Sequence, residues 1–537
     1  MKLLQSAALA ALALGTAPAL AQVPTVAAPS GSVQGTLDGA IRTFKGIPYA
    51  VPPVGGMRWR PPAPMQPWKG VRQATAFGPA CVQPQGKSAS VYSPAEPLPV
   101  SEDCLTLNIW APANATKAPI FFWIHGGALV SGSSREAMYD GRRLAEQGVI
   151  VVSINYRLGV LGWLAHPALS LESPQKVSGN YGLLDQMAAL AWVKHNIAAF
   201  GGDPANVTIA GESAGGLSVL FLMTAPLARS TFAKAIAQSA YMVTMPELKK
   251  AAYGTPSYEA VGQMLAAGVQ APDLAALRGM NAQAITDNAA KLGFFPFGVV
   301  DGLVLPEQMV ASFDKGKQAP VPVLAGFNQG EIRSLMVLAP KAPDSAADYE
   351  KAIRERYGDF SDGFLKLYPA ADYKESILAT TRDALYGWTS ERLARRQTAL
   401  GQPAYLYLWD HGTPAMDQAG LHAFHASELP YVFGTFDGLP PRWPAVPAGD
   451  RGLSDTMLGY WANFAKSGAA GKGWPAYGAQ RNYLHIADTP QAKTGLMPGM
   501  FEQYEAVVCR RRAAGVAWNW NVGLASPKLP PKATGCE

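Results

Sequence analysis

A serine flanked by glycines, directly after an apolar and β-branched stretch, is the feature that most constrains the fold of this chain. Residues 207–210 (Val-Thr-Ile-Ala) predict a buried strand, and residues 211–215 follow with the sequence Gly-Glu-Ser-Ala-Gly. Glycines on both sides of a serine let the chain turn sharply from a strand into a helix, with the serine at the tip. Residues 217–224 predict that helix, and its N-terminus would direct free N–H groups and partial positive charge at the serine. The pattern therefore predicts Ser213 as a nucleophile.

The first 21 residues have the composition of a cleaved export signal. Lys2 precedes an apolar run over residues 7–14, and residues 19–21 (Ala-Leu-Ala) supply the small-x-small pattern of a cleavage site. The apolar run is too short to span a bilayer, and no later stretch is long and uncharged enough to do so. We therefore expect residues 1–21 to be removed and residues 22–537 to form a single domain, exported to a periplasm or out of the cell.

The overall charge and the cysteines exclude several classes of protein. A formal net charge of +6 over 537 residues is mild, which argues against binding to nucleic acid or to a membrane surface. The four cysteines form no C-x-x-C motif and have no histidine pair at ligand spacing, so no zinc site or other metal site is expected. In an exported protein, an even number of cysteines predicts two disulfides. Three pairings are possible, and the local one (81–104 and 509–536) closes the shortest loops.

The rest of the chain alternates between short strand patterns and longer helical patterns. Predicted strands cover residues 105–110, 120–124, 149–154, 207–210, 235–239, 321–325 and 405–409, and a predicted helix covers residues 184–200. Such alternation is typical of a mostly parallel sheet with helices on both faces. Segments 241–300 and 338–400 also carry helical patterns, which we interpret as caps over a pocket.

A serine nucleophile needs a base whose pKa lies near 7, which in practice means histidine. On a strand–serine–helix architecture the acid and then the base follow the serine along the chain, which leaves four downstream histidines. His485 follows an apolar pair and is interpreted as a core or edge-strand residue. From the chemistry alone, His411, His422 and His425 all stay open as the base.

The acid and the oxyanion-binding amides should follow strands at the same sheet edge. Glu331 lies beyond a predicted strand and a glycine-containing turn, and Asp410 directly follows another strand. Both stay open as the acid. Residues 124–128 (Ile-His-Gly-Gly-Ala) also follow a buried strand and can turn backbone N–H groups toward a developing oxyanion, together with the amide after the nucleophile.

Six further segments along nearly the whole mature chain carry a distinctive sequence in a fixed order. They are Phe44-Lys-Gly-Ile-Pro-Tyr-Ala50, Ser101-Glu-Asp-Cys-Leu-Thr-Leu-Asn-Ile-Trp110, Ile124-His-Gly-Gly127, Asn155-Tyr-Arg-Leu158, Gly179-Asn180 with Asp185-Gln186, and Phe200-Gly-Gly-Asp-Pro204. Together with the serine motif they resemble the type-B carboxylesterase family of α/β-hydrolases, which contains cholinesterases and bacterial para-nitrobenzyl esterases. The resemblance implies the α/β-hydrolase fold, a large and mostly parallel central sheet flanked by helices, with helical cap insertions.

The resemblance also implies roles for particular residues. The acid falls on Glu331 and the base on His425, and the oxyanion-binding amides fall on Gly127, Ala128 and Ala214. The family often has a third glycine where Ala128 stands. Because the donor is a backbone amide, Ala128 should still contribute to the oxyanion hole. Its methyl group is expected to narrow the part of the pocket that holds the acyl group of the substrate.

The resemblance implies two disulfides, Cys81–Cys104 and a distal Cys509–Cys536. Cholinesterases carry a tryptophan inside the first disulfide loop, where its ring face holds a quaternary ammonium group. The loop of this chain contains no tryptophan, and Tyr92 is the aromatic residue in it. This difference argues against choline esters as substrates.

These features predict a serine carboxylesterase that acts on small to medium esters through an acyl-enzyme intermediate and without a cofactor. Its partner is a small-molecule ester, and the oligomeric state stays open. Two alternatives remain. One is a catalytically inactive binding or adhesion domain of the same fold, and the other is a lipase for longer acyl chains, which would need an exposed apolar lid.

Overall fold

The computed structural model describes residues 23–85, 90–518 and 522–536. The predicted export signal, residues 1–21, lies outside the described residues. The main element is an eleven-stranded sheet. Its strands are β1 (Thr36–Asp38), β2 (Ile41–Pro48), β3 (Thr106–Pro112), β4 (Ala118–Ile124), β5 (Ile150–Ile154), β6 (Gly202–Glu212), β7 (Lys234–Gln238), β8 (Val323–Asn328), β9 (Ala404–Trp409), β10 (Asn482–Ile486) and β11 (Pro490–Thr494).

The sheet is parallel in its centre and antiparallel at both edges. Its spatial order is β11-β10-β9-β8-β7-β6-β4-β5-β3-β2-β1. The strands from β10 to β5 in this order pair in parallel, whereas β11, β3, β2 and β1 pair antiparallel with their neighbours. The mostly parallel sheet predicted from the sequence is therefore confirmed.

Helices cover both faces of the sheet. They are α1 (Arg142–Ala145), α2 (Gly159–Trp163), α3 (Pro167–Glu172), α4 (Tyr181–Asn196), α5 (Ala214–Thr224), α6 (Tyr258–Gly268), α7 (Leu274–Gly279), α8 (Ala282–Lys291), α9 (Met309–Asp314), α10 (Ala346–Tyr357), α11 (Ser361–Leu367), α12 (Tyr373–Arg382), α13 (Trp388–Ala399), α14 (Pro414–Gln418), α15 (Leu429–Phe433), α16 (Arg451–Ser467) and α17 (Met500–Ala513). Among the described residues, no helix combines the length and apolar composition that crossing a membrane requires.

The hydrophobic core lies on both sides of the central strands, because successive side chains of a strand point to opposite faces. On β4, Ile120 and Phe122 belong to the cluster that includes residues of α4, α5 and α13. Phe121 and Trp123 belong to the opposite cluster, with residues of α15 and α16. This double burial explains why the sequence of β4 is almost continuously apolar.

The two segments predicted as caps differ in the structure. Helices α6, α7 and α8 of segment 241–300 pack with α2 in a cluster of their own, separate from the two sheet clusters. In segment 338–400, however, α13 packs directly on β8 and β9. The interpretation of that whole segment as a cap is therefore wrong for α13, whose side chains Trp388, Leu393 and Ala394 are buried against the sheet. A π-helical stretch, Asp383–Gly387, joins α12 to α13.

Shorter elements and two disulfides complete the fold. Thr25–Ala28, Gly31–Gln34 and Val71–Gln73 form a three-stranded sheet, and Ala80–Cys81 pairs with Val100–Ser101. Cys81 is bonded to Cys104, and Cys509 to Cys536, which is the local pairing. The first disulfide and the short pair of strands together close the base of one loop, residues 82–103, which we call the disulfide loop.

Candidate active site

Ser213 lies at the turn between β6 and α5, at the carboxyl edge of the parallel strands. Its φ is 57° and its ψ is −120°, a conformation that a non-glycine residue rarely adopts. Its backbone N–H donates to Gln238 O at 3.0 Å, which joins the turn to the end of β7. The hydroxyl therefore belongs to a strained turn at the N-terminus of a buried helix, as the sequence predicts.

The two glycines of the motif are needed because the turn is tightly packed. A Cβ atom on Gly211 would lie 2.4 Å from the carbonyl carbon of Gly215, and a Cβ on Gly215 would lie 2.1 Å from Ile124 O. Both distances are far inside van der Waals contact, and the atoms they meet are backbone atoms. The Gly-x-Ser-x-Gly spacing thus brings α5 close against its own strand and against β4.

Glu331 and His425 form a buried pair beside this turn. His425 Nδ1 is hydrogen-bonded to Glu331 Oε2, and Glu331 is fully buried. The other carboxylate oxygen, Oε1, accepts hydrogen bonds from Ser239 Oγ at 2.7 Å and from Asn328 N at 2.8 Å. The carboxylate of Glu331 is therefore held by two donors on one side and oriented toward the imidazole on the other.

The second imidazole nitrogen faces the residue before the serine. His425 Nε2 lies 3.0 Å from Glu212 Oε1, and both side chains are buried. Among the described residues, no hydrogen bond joins His425 to Ser213 Oγ. A Cβ atom on Gly126 would lie 3.0 Å from Glu212 Oε2 and 3.2 Å from Ser213 Cβ, so the carboxylate and the serine border the same side of Gly126. A hydrogen bond between a catalytic histidine and its serine is often long or poorly aligned in the absence of substrate.

The two carboxylates change the protonation of the imidazole. Burial lowers the pKa of His425, but Glu212 and Glu331 together raise it further, to about 9. Burial raises the pKa of Glu212 to about 8, although the imidazole opposes this. In the geometry observed, the imidazole lies between two carboxyl groups, and both favour its protonated form.

The alternative candidates for base and acid pair with each other or with other groups. His411 contacts Asp450 and Asp488, each at 2.9 Å. Asp410 lies 3.2 Å from His422 Nε2 and 2.8 Å from His485 Nε2, so it bridges two histidines. The structure therefore pairs Glu331 with His425, whereas Asp410 contacts neither of these two residues.

The glycine loop after β4 is also strained. Gly127 has a φ of 101°, Ala128 a φ of 56° and Leu129 a φ of 60°. Among the described residues, the amides of Gly127, Ala128 and Ala214 donate no hydrogen bond to another protein group. Positive φ at two successive non-glycine residues is costly, of the order of 1–3 kcal/mol each, and it persists here because Leu129 is buried and its carbonyl accepts a bond from Gly159 N at 2.7 Å.

His125 makes several contacts that hold the same loop in place. Its Nδ1 lies 2.9 Å from Gly126 O, its ring stacks on Tyr156 at 4.6 Å, and its own carbonyl accepts from the Tyr156 hydroxyl at 2.9 Å. Burial lowers the pKa of His125 to about 4. This imidazole is therefore neutral and fixes the loop.

A network of hydrogen bonds joins the loops that carry Glu331 and His425. Gly330 N donates to Ala423 O at 2.8 Å. Asn328 Nδ2 donates to Phe424 O at 2.8 Å and to Glu428 Oε2 at 2.6 Å. Glu428 Oε1 accepts from Gln238 Nε2 at 2.8 Å, so the network extends to the end of β7.

Several of these polar residues were not predicted from the sequence. Ser239, Asn328 and Gln238 lie at the carboxyl ends of β7 and β8; β7 is the parallel neighbour of β6, and β8 is the parallel neighbour of β7. A polar residue at the end of a predicted parallel strand is the signal that could have found them. Glu212 was visible inside the serine motif, but no local pattern indicates that its carboxyl group turns toward the imidazole.

The chain is similar to known carboxylic ester hydrolases over most of its length. The model of the carboxylesterase family matches residues 22–503. A fumonisin B1 esterase from Sphingopyxis macrogoltabida is 37% identical over 83% of this chain and 83% of its own length. The para-nitrobenzyl esterase of Bacillus subtilis is 36% identical over 86% of this chain and 94% of its own length. The liver carboxylesterase of Sus scrofa is 31% identical over 96% of both chains.

Solved structures lead to the same family. A PNB esterase structure superimposes with a TM-score of 0.77 at 31% identity and covers 89% of this chain and 99% of its own. A thermophilic PNB esterase gives a TM-score of 0.75 at 30% identity, with the same coverage. The resemblance inferred from the sequence motifs and the α/β-hydrolase fold are thereby confirmed. The chain belongs to the carboxylesterase family and is a carboxylic ester hydrolase.

Proposed function

We propose that this esterase works through a Ser213–His425–Glu331 triad and an acyl-enzyme intermediate. One observation carries the proposal: Glu331 and His425 form a buried pair next to a serine that is held in a strained turn at a helix N-terminus. A carboxylate bound to Nδ1 leaves Nε2 as the nitrogen that exchanges a proton with the nucleophile. Nε2 now faces Glu212, and the reaction requires it to turn to Ser213 Oγ.

The steps follow from these roles. The Ser213 oxygen attacks the ester carbonyl as its proton passes to His425 Nε2, and Glu331 stays ionised to stabilise the imidazolium. The amides of Gly127, Ala128 and Ala214 bind the oxyanion of the tetrahedral intermediate. His425 returns the proton to the departing alkoxide, which leaves as the alcohol. Water then repeats the sequence on the acyl-enzyme and releases the carboxylic acid.

The oxyanion assignment is supported by the three unpaired amides and by the polarity of α5. Two of the amides belong to the strained loop after β4, and the third is the first residue of α5. A helix N-terminus carries partial positive charge, which favours an anion beside it. Removing one such donor costs about 3 kcal/mol in serine hydrolases, so the hole is a large part of the proposed catalysis.

The first test replaces the nucleophile. We expect Ser213→Ala to lower kcat on para-nitrobenzyl acetate by about 10⁴- to 10⁶-fold, since loss of the triad serine has an effect of that order in related chemistry. Ser467→Ala, at the exposed end of α16, is the matched control and should retain full activity. Activity of the Ser213 variant within a few-fold of the parent would exclude the proposal.

An inactive binding domain of the same fold is the alternative from another class. It is disfavoured because the serine, the histidine and the acid are all present in the sequence, and because the histidine and the acid are paired and buried. A fluorophosphonate probe separates the two possibilities: we expect stoichiometric labelling that maps to Ser213 by mass spectrometry. A protein that binds esters without reacting with the probe would be a binding module.

We propose small to medium esters as the substrates, and a lipase remains the second candidate because of one observation. Met336 and Val337, five and six residues after Glu331, are 57% and 90% exposed. Exposed apolar side chains close to a catalytic loop could contact a long acyl chain or a lipid surface. A series of para-nitrophenyl esters from C2 to C16 distinguishes the two: a maximum at C2–C6 supports the esterase, and a maximum at C10 or longer supports the lipase.

We also propose export of the protein. Two disulfides support this, because such bonds persist in oxidising compartments. A signal of residues 1–21 predicts a mature chain that starts at Gln22.

A further inference from the structure

Tyr92 lies in the disulfide loop and reaches both loops that carry the proposed acid and base. Its hydroxyl is 2.8 Å from His425 O and 2.6 Å from Ser334 Oγ. Ser334 follows Glu331 by three residues, in the same short helix, Glu331–Ser334. One phenol oxygen therefore joins three segments of the chain that are far apart in sequence.

The directions of these hydrogen bonds follow from the groups involved. A carbonyl oxygen can only accept, so the Tyr92 O–H must donate to His425 O. The phenol has a single proton, and the Ser334 hydroxyl must then donate to the Tyr92 oxygen. Among the described residues, Tyr92 is the group that donates to the His425 carbonyl.

The aromatic ring of Tyr92 is fixed as well. It packs edge to face against the His425 imidazole at a centroid distance of 6.4 Å and against Trp443 at 5.9 Å. It also lies 6.4 Å from the Phe424 ring. Because the ring is packed on several sides, the hydroxyl cannot move away from the two loops without disturbing these contacts.

We propose that Tyr92 is a positioning residue that fixes the backbone of His425 and thereby couples the disulfide loop to the base. This inference rests on the proposed function, since it assumes that His425 exchanges the proton of Ser213. Nε2 faces Glu212 in the structure, whereas the proposed reaction requires it to face Ser213, so the position of the His425 backbone affects which of the two groups it meets. The Tyr92 hydroxyl restrains that position, and the Cys81–Cys104 bond restrains Tyr92.

Tyr92→Phe tests this inference, because it removes the oxygen and keeps the ring. A net hydrogen bond of ordinary strength corresponds to about a five- to tenfold change. We expect kcat to fall by about five- to tenfold, with KM changed less than about twofold, and the rate of fluorophosphonate labelling to fall in parallel with kcat. A purely structural tyrosine would lower the melting temperature and leave kcat unchanged.

Tyr258→Phe is the matched control. The Tyr258 hydroxyl also donates to a carbonyl, Phe295 O at 2.9 Å, and accepts from one donor, Phe297 N at 3.2 Å. It lies in the separate cluster around α6, away from the proposed triad. We expect this variant to lose stability and to keep the kcat of the parent.

A double-mutant cycle tests the coupling to the loop. Replacing Cys81 and Cys104 by serine should lower kcat in the parent but have little further effect on kcat in the Tyr92→Phe background, because the connection is already broken. Ser334→Ala provides a second, independent variant, with a smaller decrease in kcat than Tyr92→Phe.

The outcomes separate this inference from the proposed function. If Ser213→Ala is inactive while Tyr92→Phe keeps kcat within twofold of the parent, the triad stands and the positioning role of Tyr92 is refuted. Fully additive effects of the disulfide and Tyr92 variants would likewise refute the coupling. Activity in Ser213→Ala would remove the proposed function itself, and with it the basis of the inference.

Discussion

Glu212→Gln is the substitution that tests the electrostatics of the site most directly. The Glu212 carboxylate lies 3.0 Å from His425 Nε2, on the opposite side of the imidazole from Glu331. The exchange to glutamine keeps the size of the side chain and one acceptor oxygen, replaces the other oxygen by an amide donor, and removes the negative charge. An opposite charge at this distance raises the pKa of an imidazole by roughly one to three pH units.

The pKa of the paired His425 imidazole determines how much neutral base is present at pH 7. At a pKa of about 9, only about one imidazole in a hundred is neutral at pH 7, because the pH lies two units below the pKa. Without the Glu212 charge, we expect the pKa to fall by at least about one unit toward the ordinary value of 6.5. The fraction of neutral base at pH 7 then rises about tenfold or more.

The assay is kcat/KM on a short-chain aryl ester from pH 5.5 to pH 10. For the parent we expect a rise with pH that is half complete near pH 9 and approaches its plateau at pH 10, since only the neutral imidazole can accept the serine proton. For Glu212→Gln the same rise should occur at least about one pH unit lower, whatever the height of the plateau. The ratio of the rate at pH 7 to the plateau rate is the quantity to compare.

Asp410→Asn is the matched control for this experiment. Asp410 also contacts imidazoles, His422 at 3.2 Å and His485 at 2.8 Å, and its hydrogen bond to His422 raises the pKa of that histidine. If His425 is the base, the pH profile of this variant should match that of the parent. An unchanged profile in Glu212→Gln would refute the electrostatic reasoning, and a shifted profile in Asp410→Asn would mean that the wrong histidine has been assigned.

Three further predictions concern the turn, the distal disulfide and the start of the mature chain. Gly215→Ala would place a Cβ 2.1 Å from Ile124 O, so we expect kcat below about 1% of the parent and a lower melting temperature, measured by steady-state kinetics and calorimetry. Replacing both Cys509 and Cys536 by serine should lower the free energy of unfolding by about 3 kcal/mol in denaturant titrations, through the loss of a loop restraint, and should leave kcat unchanged. N-terminal sequencing of the protein recovered from a secreting host should start at Gln22, and a start at Met1 would contradict the predicted signal.

The central strands and the serine turn were predictable because their residues carry a strong local signal. The prediction for β6 covered residues 207–210, and the strand is longer, Gly202–Glu212, because its first part pairs with the start of β4 through an irregular register. The strands β1, β2 and β11 were not predicted, and β10 was indicated only through the interpretation of His485 as a core or edge-strand residue. β11 is almost entirely exposed, so its sequence lacks the apolar alternation that marks a half-buried strand.

The site was predictable in its residue types and only partly in its pairings. Glu331 and Asp410 both follow parallel strands, and His422 and His425 are three residues apart in the same loop. Their local chemistry is similar, so only tertiary contacts decide that Asp410 pairs with His422 and that Glu331 pairs with His425. The family resemblance selected the same pair because it carries that tertiary information.

Three carboxyl groups surround His425, and they differ in how their charge is compensated. Glu331 accepts from Ser239 and Asn328, and Glu428 accepts from Gln238 and Asn328. Glu212 has the imidazole as its one close partner among the described residues, and burial raises its pKa to about 8. A carboxyl group and an imidazole this close titrate as a coupled pair, so the pH dependence of the parent belongs to both groups. The Glu212→Gln variant should therefore show the titration of an imidazole that is still paired with Glu331 but no longer with Glu212, and the difference between the two curves measures how strongly Glu212 delays the formation of the neutral base.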